Sequence, residues 1–437
     1  MWFTCRPTLA ILVAAGYSPV SLDSAHEDFS LADLRPFRGL RPPAELARNV
    51  ACPPYDVVST EEARAYARDN PQSFFHISRP EIDLPPGTDE RSEAVHERGR
   101  RNLSAFRSHH WLVQDSEPRL YLYQQRMGTH AQIGLVAGAS VDEYDQGLIK
   151  KHERTRPDKE DDRTRHIDAL GGNDEPVFLT YRADEKIDQL VSELVEAEPE
   201  YDFVTEDQIA HTFWLVPLQQ TSNLLRLFRR VPALYVADGH HRSAAASRVK
   251  ALHASNGSGG GERDRFLAVI FPHNQMQILD YNRVVKDLHG LTPAQLFEKL
   301  RSKFIVSSAP RPRPGAPHQF SMFLDGKWYR LTARPGSFKS SATGVLDVSI
   351  LQENALAPLL GIGDPRIDKR INFVGGIRGT EELETLVRSG EYQVAFCVYP
   401  TSVEQVMEIA DAGEIMPPKS TWFEPKLRSG LVLHLFD

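Results

Sequence analysis

The segment that most restricts the fold is a short apolar strand that turns straight into a helix. Ala233-Leu234-Tyr235-Val236-Ala237 reads as the strand, Asp238-Gly239-His240-His241-Arg242 as the turn, and residues 243–252 as an Ala-rich helix. Strand and helix joined this tightly call for a sheet with helices packed beside it. The same alternation continues elsewhere. Ser59 with Glu62 three residues on is a capping box, and Pro71 stops the helix that follows. A second helix over 92–110 carries Val95, Leu103 and Phe106 on its apolar side. Segments 120–124 and 133–137 pair around Met127-Gly128-Thr129, and 266–271 is a buried strand. Beyond Leu291 the pattern restarts with a helix, a strand over 319–324, the Asp325-Gly326 turn, a strand entering Gly375-Gly376-Ile377-Arg378-Gly379, a helix over 380–388 and a strand over 394–399. The expected fold class is mixed α/β of the α+β kind, with no internal repeat.

A chain of 437 residues exceeds what one core usually organises, so more than one unit is expected. We place boundaries at 1–30, an extension disordered or foreign to the working protein, 31–290, and 291–437, a C-terminal α+β unit closing a cleft. Hydrophobic residues at 41% and charged ones at 25% are those of an ordinary globular protein. The net charge of −8 argues against nucleic acid as a partner, because neutralising many phosphates needs a surplus of Lys and Arg. Cys5, Cys52 and Cys397 lack the spacing of a zinc site or a disulfide framework, which fits a reducing, cytoplasmic setting. Arg6 followed by the apolar stretch 9–15 is a faint copy of a secretory signal, interrupted by Pro7 and too short to span a bilayer, so no membrane partner is expected.

The Asp238 turn is the strongest chemical signal. A strand ending in Asp-Gly and opening a helix gathers free backbone N–H groups and the positive end of the helix dipole at one point, which suits a phosphate. Arg242 adds a bidentate clamp. Asp238 suits either Mg²⁺ or a hydroxyl proton, and His240 and His241 suit proton transfer or donation to a phosphate oxygen. The bland alternative makes Asp238 a helix cap and the histidines ordinary half-buried groups.

A second candidate is the polar run over 150–166, which shows no hydrophobic period. It sets Lys150, Lys151, Arg154, Arg156, Lys159, Arg163 and Arg165 among Glu153, Asp158, Glu160, Asp161 and Asp162. Such mixing suits a loop in which cations meet phosphate and carboxylates meet Mg²⁺, or else a solvated, salt-bridged face. The glycines at 375–379 lack the dinucleotide fingerprint. No nucleophile elbow, Walker loop or His-Glu-x-x-His motif occurs.

These residues resemble a bacterial and archaeal family, domain of unknown function 1015. The likeness runs from Leu34-Arg35-Pro36-Phe37 to Gly430-Leu431. It takes in Pro53-Pro54-Tyr55-Asp56-Val57, His152-Glu153, the stretch 156–163, Asp238-Gly239-His240-His241-Arg242, Asn282-Arg283-Val284, Phe373-Val374-Gly375-Gly376 and Met416-Pro417-Pro418-Lys419. The turn 238–242 is also similar to the nucleotide-binding turn of the ParB and sulfiredoxin superfamily, which includes free serine kinases. That resemblance implies a ParB/sulfiredoxin-like nucleotide-binding unit over 31–290, ATP or ADP and Mg²⁺ as cofactors, and a place in serine metabolism.

The expectation is therefore a Mg²⁺- and nucleotide-dependent phosphotransferase on a small hydroxyl substrate, with serine or phosphoserine favoured. Asp238, His240 and Glu153 are the candidate catalytic residues, with Glu81 a second guess for the carboxylate. Gly239, His241, Arg242, Lys151, Arg156, Lys159 and Arg163 are the candidate phosphate binders, and Asp238 and Asp161 the Mg²⁺ ligands. Two other classes stay open: a non-catalytic nucleotide or metabolite sensor, and a metal-dependent phosphatase.

Overall fold

The computed structural model describes residues 32–436 apart from 256, 258, 259 and 310. The extension at 1–30 with Cys5, and Asn256, Ser258 and Gly259 of the Gly-rich connector, lie outside the described residues. Among the described residues the strands form one nine-stranded and one six-stranded sheet, with two smaller sheets between chain-distant segments. The molecule is mixed α+β, as the alternating sequence pattern requires.

The larger sheet runs in the order Ile149–Lys150, Leu234–Asp238, Val177–Tyr181, Arg265–Pro272, His130–Ser140, Tyr121–Met127, Ile209–Leu215, Tyr201–Val204, with Leu34–Arg35 beside His130–Ser140. Most pairs are antiparallel, but Leu234–Asp238 is parallel to Ile149–Lys150 and Arg265–Pro272 to Val177–Tyr181. Alternate residues enter separate cores. Leu267, Val269 and Phe271 join one apolar cluster, and Phe266, Ala268 and Ile270 the other. Burial on both faces explains why 266–271 reads as an unbroken apolar run.

Local signals hold where they were strong. Ser59 and Glu62 close a reciprocal capping box on the helix Thr60–Ala67, and the helix Glu93–Ser108 buries Val95, Leu103 and Phe106. Tyr121–Met127 and His130–Ser140 pair antiparallel around Gly128-Thr129. The polar run behaves differently from its reading as a segment without periodicity: residues from Pro157 on form the helix Pro157–Leu170, ended by Gly171 in the left-handed conformation. Its inward face buries Asp162, Arg163, Thr164 and His166, so its periodicity is polar and leaves no amphipathic trace.

The six-stranded sheet is antiparallel throughout, in the order Phe304–Ser308, Lys327–Ala333, Gln319–Leu324, Val394–Val398, Tyr281–Val285, Ile371–Gly375. The chain does not finish there. Trp422–Glu424 pairs with Gln277–Leu279, and Leu433–Leu435 lies between Gly39–Arg41 and Gly172–Asn173. The C-terminal segment thus packs back against the larger sheet, where Phe423, Leu427, Leu431 and Val432 join the cluster of Leu267, Val269 and Phe271, and this return brings Lys426 to the Asp238 turn. No helix among the described residues is long and apolar enough to cross a membrane.

Candidate functional site

Asp238 ends its strand, Gly239 turns, and the helix His240–Ser255 begins at once. Gly239 sits at φ 94°, and a Cβ there would lie 3.0 Å from Arg242 Nε and 3.3 Å from Val177 Cα, so both conformation and space require glycine. The Gly239 N–H donates to Asp238 Oδ1 at 2.8 Å, and the Ser243 N–H donates to the Gly239 carbonyl at 3.0 Å. The amides of His240, His241 and Arg242 belong to the first helical turn, where the helix supplies no acceptor.

Charge converges on this turn from three parts of the chain. Lys426 Nζ donates to Asp238 Oδ2 at 2.8 Å. Arg242 is buried, donates through Nη1 to the Pro176 carbonyl, and brings Nη2 to 3.8 Å from Asp238 and 4.0 Å from Asp56. Burial by itself would raise the Asp238 carboxyl, but Lys426 and Arg242 reverse this and hold it below the usual carboxylate range. Burial likewise works against the Lys426 ammonium, and Asp238 more than restores it.

Glu153 joins the same group. Burial raises its carboxyl, with Asp238 adding to the rise and Lys419 and Lys426 opposing it. Beside it, the buried rings of His152 and His240 meet edge to face at 4.5 Å. Burial pushes His152 down to about 4 and His240 well below the ordinary imidazole value, so both are neutral near pH 7. Among the described residues, neither ring nitrogen of His152, nor Nε2 of His240, has a hydrogen-bond partner.

The metal expectation meets a different donor set. One ligand atom each of His152, Glu153 and His240 lie within 4.8 Å of one another, two imidazoles and a single carboxylate. Mg²⁺ takes oxygen ligands, so this trio does not fit it. Of the two carboxylates expected to hold it, Asp238 is bound to Lys426 and Asp161 to Arg248 at 2.5 Å. Each of these carboxylates already has a cation as its partner.

The remaining predicted residues divide. Arg156 donates its backbone N–H to His241 Nε2 at 3.1 Å while its guanidinium pairs with Asp158 at 2.9 Å. Burial, then Lys159 and Arg156 against Asp56 and Glu160, lowers the His241 imidazole. Lys151 turns to the Tyr144 ring, 4.0 Å from its centroid. Arg163 is buried over the Tyr55 ring at 4.1 Å and pairs with Asp162 at 3.0 Å. With Tyr55, Glu175 and Arg242 it lines a cavity of about 10 Å³, room for one water. Glu81 is held by Arg79 at 2.7 Å, and Arg79 also donates to the Tyr55 and Val58 carbonyls, so this carboxylate braces a loop.

Residue-by-residue reading assigned no role to Lys426, Lys419, Asp56 or Glu175. Burial and the neighbouring Asp174 push Glu175 up to about 7, and it accepts from Ser429 Oγ at 2.8 Å and the Tyr55 N–H at 3.2 Å. The available signal was the family motifs around Asp56 and Lys419. Lys426 lies outside them.

Residues 34–349 match the family described as Protein of unknown function (DUF1015). No curated protein matches the chain. Solved structures similar to it include a mutant free serine kinase in complex with AMP, at 15% identity and TM-score 0.34 over 68% of this chain and 92% of that one. A conserved hypothetical protein from Pyrococcus furiosus gives 16%, 0.32, 68% and 95%, and SbnI with C-terminal truncation from Staphylococcus aureus 14%, 0.37, 69% and 87%. Overlap at that level transfers no residue role.

Proposed function

This chain belongs to the family described as Protein of unknown function (DUF1015), and from that premise we propose that it moves a phosphoryl group between a nucleotide and a small hydroxyl compound. The observation that carries the reading is a half-buried carboxylate, Glu153, set beside the cations gathered at the N-terminus of a long helix. Phosphoryl transfer asks a protein mainly for positioning and for positive charge around the moving group. The first-turn amides of His240–Ser255 with Arg242 and Lys426 supply the charge.

In this scheme the acceptor oxygen attacks the terminal phosphorus, the bond to the nucleotide breaks, and the hydroxyl proton passes to Glu153. A carboxyl raised by burial is better matched to that proton than one held low. Asp238, tied to Lys426, positions the ammonium and the turn and leaves the proton to Glu153. The neutral, buried rings of His152 and His240 stand beside the half-buried Glu153 and form one wall of the site. No step is assigned to Mg²⁺ on protein ligands. L-serine, or phosphoserine in reverse, is the acceptor that the sequence resemblance puts forward.

A phosphorus NMR time course of the full chain with ATP or ADP and L-serine, repeated with phosphoserine and with Glu153→Gln, tests this. Transfer in the native protein and its loss in a folded, nucleotide-binding E153Q would support the reading. Nucleotide binding with no phosphate moved to any hydroxyl acceptor would replace it with a sensor, and phosphoserine hydrolysis without nucleotide would replace it with a phosphatase.

A further inference from the structure

The second sheet holds a feature that the phosphotransferase reading does not use. Arg283 lies on the strand Tyr281–Val285, next to the edge strand of that sheet, and is only 3% exposed. Its Nη1 donates to the Tyr281 carbonyl and its Nη2 to the Lys419 carbonyl at 2.9 Å, and its guanidinium stands 5.4 Å from the Phe373 ring centroid. Carbonyls and a ring face do not neutralise a charge, and among the described residues Arg283 forms no ion pair within 4.0 Å. Two of its five N–H groups are used. A buried cation left without an anion is costly, and chains retain one where a ligand supplies the missing charge.

Arg283 also lines a cavity of about 340 Å³. Val348, Leu356, Ile371 and Phe373 give it apolar walls. Its other charged residues, Asp364 and Arg366, pair with each other at 2.7 Å and cancel. Gln352 and Leu356 on its wall belong to a π-helical turn, a distortion found frequently at functional sites. The volume falls within the range of small-molecule sites, where apolar walls surround a few fixed polar groups.

We propose that this cavity binds a small organic anion, its carboxylate or phosphate facing Arg283 and its body against Phe373 and Ile371. The cavity's lining residues are separate from those of the Asp238 turn, and Lys419 borders it, its carbonyl on Arg283 and its ammonium 5.6 Å from the Tyr281 ring centroid. The proposal does not depend on phosphoryl transfer.

Saturation-transfer NMR on the full chain, with excess ATP present to fill any nucleotide site, tests it with benzoate, phenyl phosphate and the neutral isostere benzamide. Benzoate or phenyl phosphate should receive saturation at least fivefold more strongly than benzamide, and the stronger of the two identifies the anion. The signal should vanish in Arg283→Gln. If that variant does not fold, Gly363→Trp serves instead, because Gly363 lines the cavity and a Cβ there meets nothing within 4 Å. Equal signals from benzamide and the anions, no signal from either anion, or anion signals unchanged in a folded variant would overturn the proposal.

Discussion

Two buried arginines, Arg242 and Arg283, show how differently the two sheets treat charge. Arg242 is surrounded by acid: Asp238 lies at 3.8 Å, Asp56 at 4.0 Å and Glu175 close by, and this surplus of carboxylate carries the guanidinium above its ordinary value against the pull of burial. Arg283 has two carbonyls and a ring face, and burial pulls it down with only Tyr281 to oppose. The first region is a closed network in which each charge depends on the others. The second is an open one, with a charge still to be matched. Removing the arginine should therefore be expensive in the first region and nearly free in the second.

The largest effect is expected from Arg242→Met. Breaking a buried pair leaves its partner uncompensated, and the cost should be about 4 kcal/mol of unfolding free energy, read by urea denaturation. A loss below about 1 kcal/mol would remove the contrast. Glu153→Gln comes next. Proton acceptance by a positioned carboxylate is worth about a hundredfold or more in rate, so kcat should fall by that factor while the urea midpoint holds or rises slightly. Equal losses of stability and activity would make Glu153 a packing group.

In acid, the buried polarity where the helices Glu93–Ser108 and Pro157–Leu170 meet becomes a liability. His96, packed near Asp162 and His166, is pushed down to about 4 by burial and by His166. The unfolded chain takes up its proton near 6.5 and the folded chain only near 4, so the unfolded state binds more protons between these values. Stability should fall as pH drops through that window. His96→Leu should make the decline shallower by up to about 1.4 kcal/mol per pH unit and leave the slope above pH 7 unchanged. Stability curves of identical slope would show that His96 is protonated in the fold. The smallest effect is expected from Arg283→Met, within about 1 kcal/mol of the parent, because lost carbonyl bonds are offset by no longer burying an unpaired charge. A loss of several kcal/mol would mean that Arg283 is already compensated, and it would break the comparison from the other side.

Elements whose signals lie within a few residues were readable from the chain. The Ser59 capping box, the Gly128-Thr129 hairpin and the Asp325-Gly326 turn depend on neighbours along the backbone, and each stands where it was placed. The Asp238 turn was legible for the same reason, since strand, glycine and helix are consecutive. The helix Pro157–Leu170 was not, because it buries a polar face and hydrophobic periodicity cannot register one. Glu153 was visible as a residue, but its shielding was not, since burial belongs to the packing of distant segments.

What the sequence determined by itself was the mixed α+β class, the positions of the strongly capped elements and the strand-glycine-helix form of the Asp238 turn, all set by local backbone preference and short-range patterning. Only the tertiary structure decided which charges meet. Lys426 reaches Asp238 from 188 positions along the chain, and the Lys419 carbonyl reaches Arg283 from 136. No local rule spans such separations. Those meetings follow from the C-terminal segment pairing with Gln277–Leu279, Gly39–Arg41 and Gly172–Asn173 and burying Phe423, Leu427 and Leu431 in one core of the larger sheet.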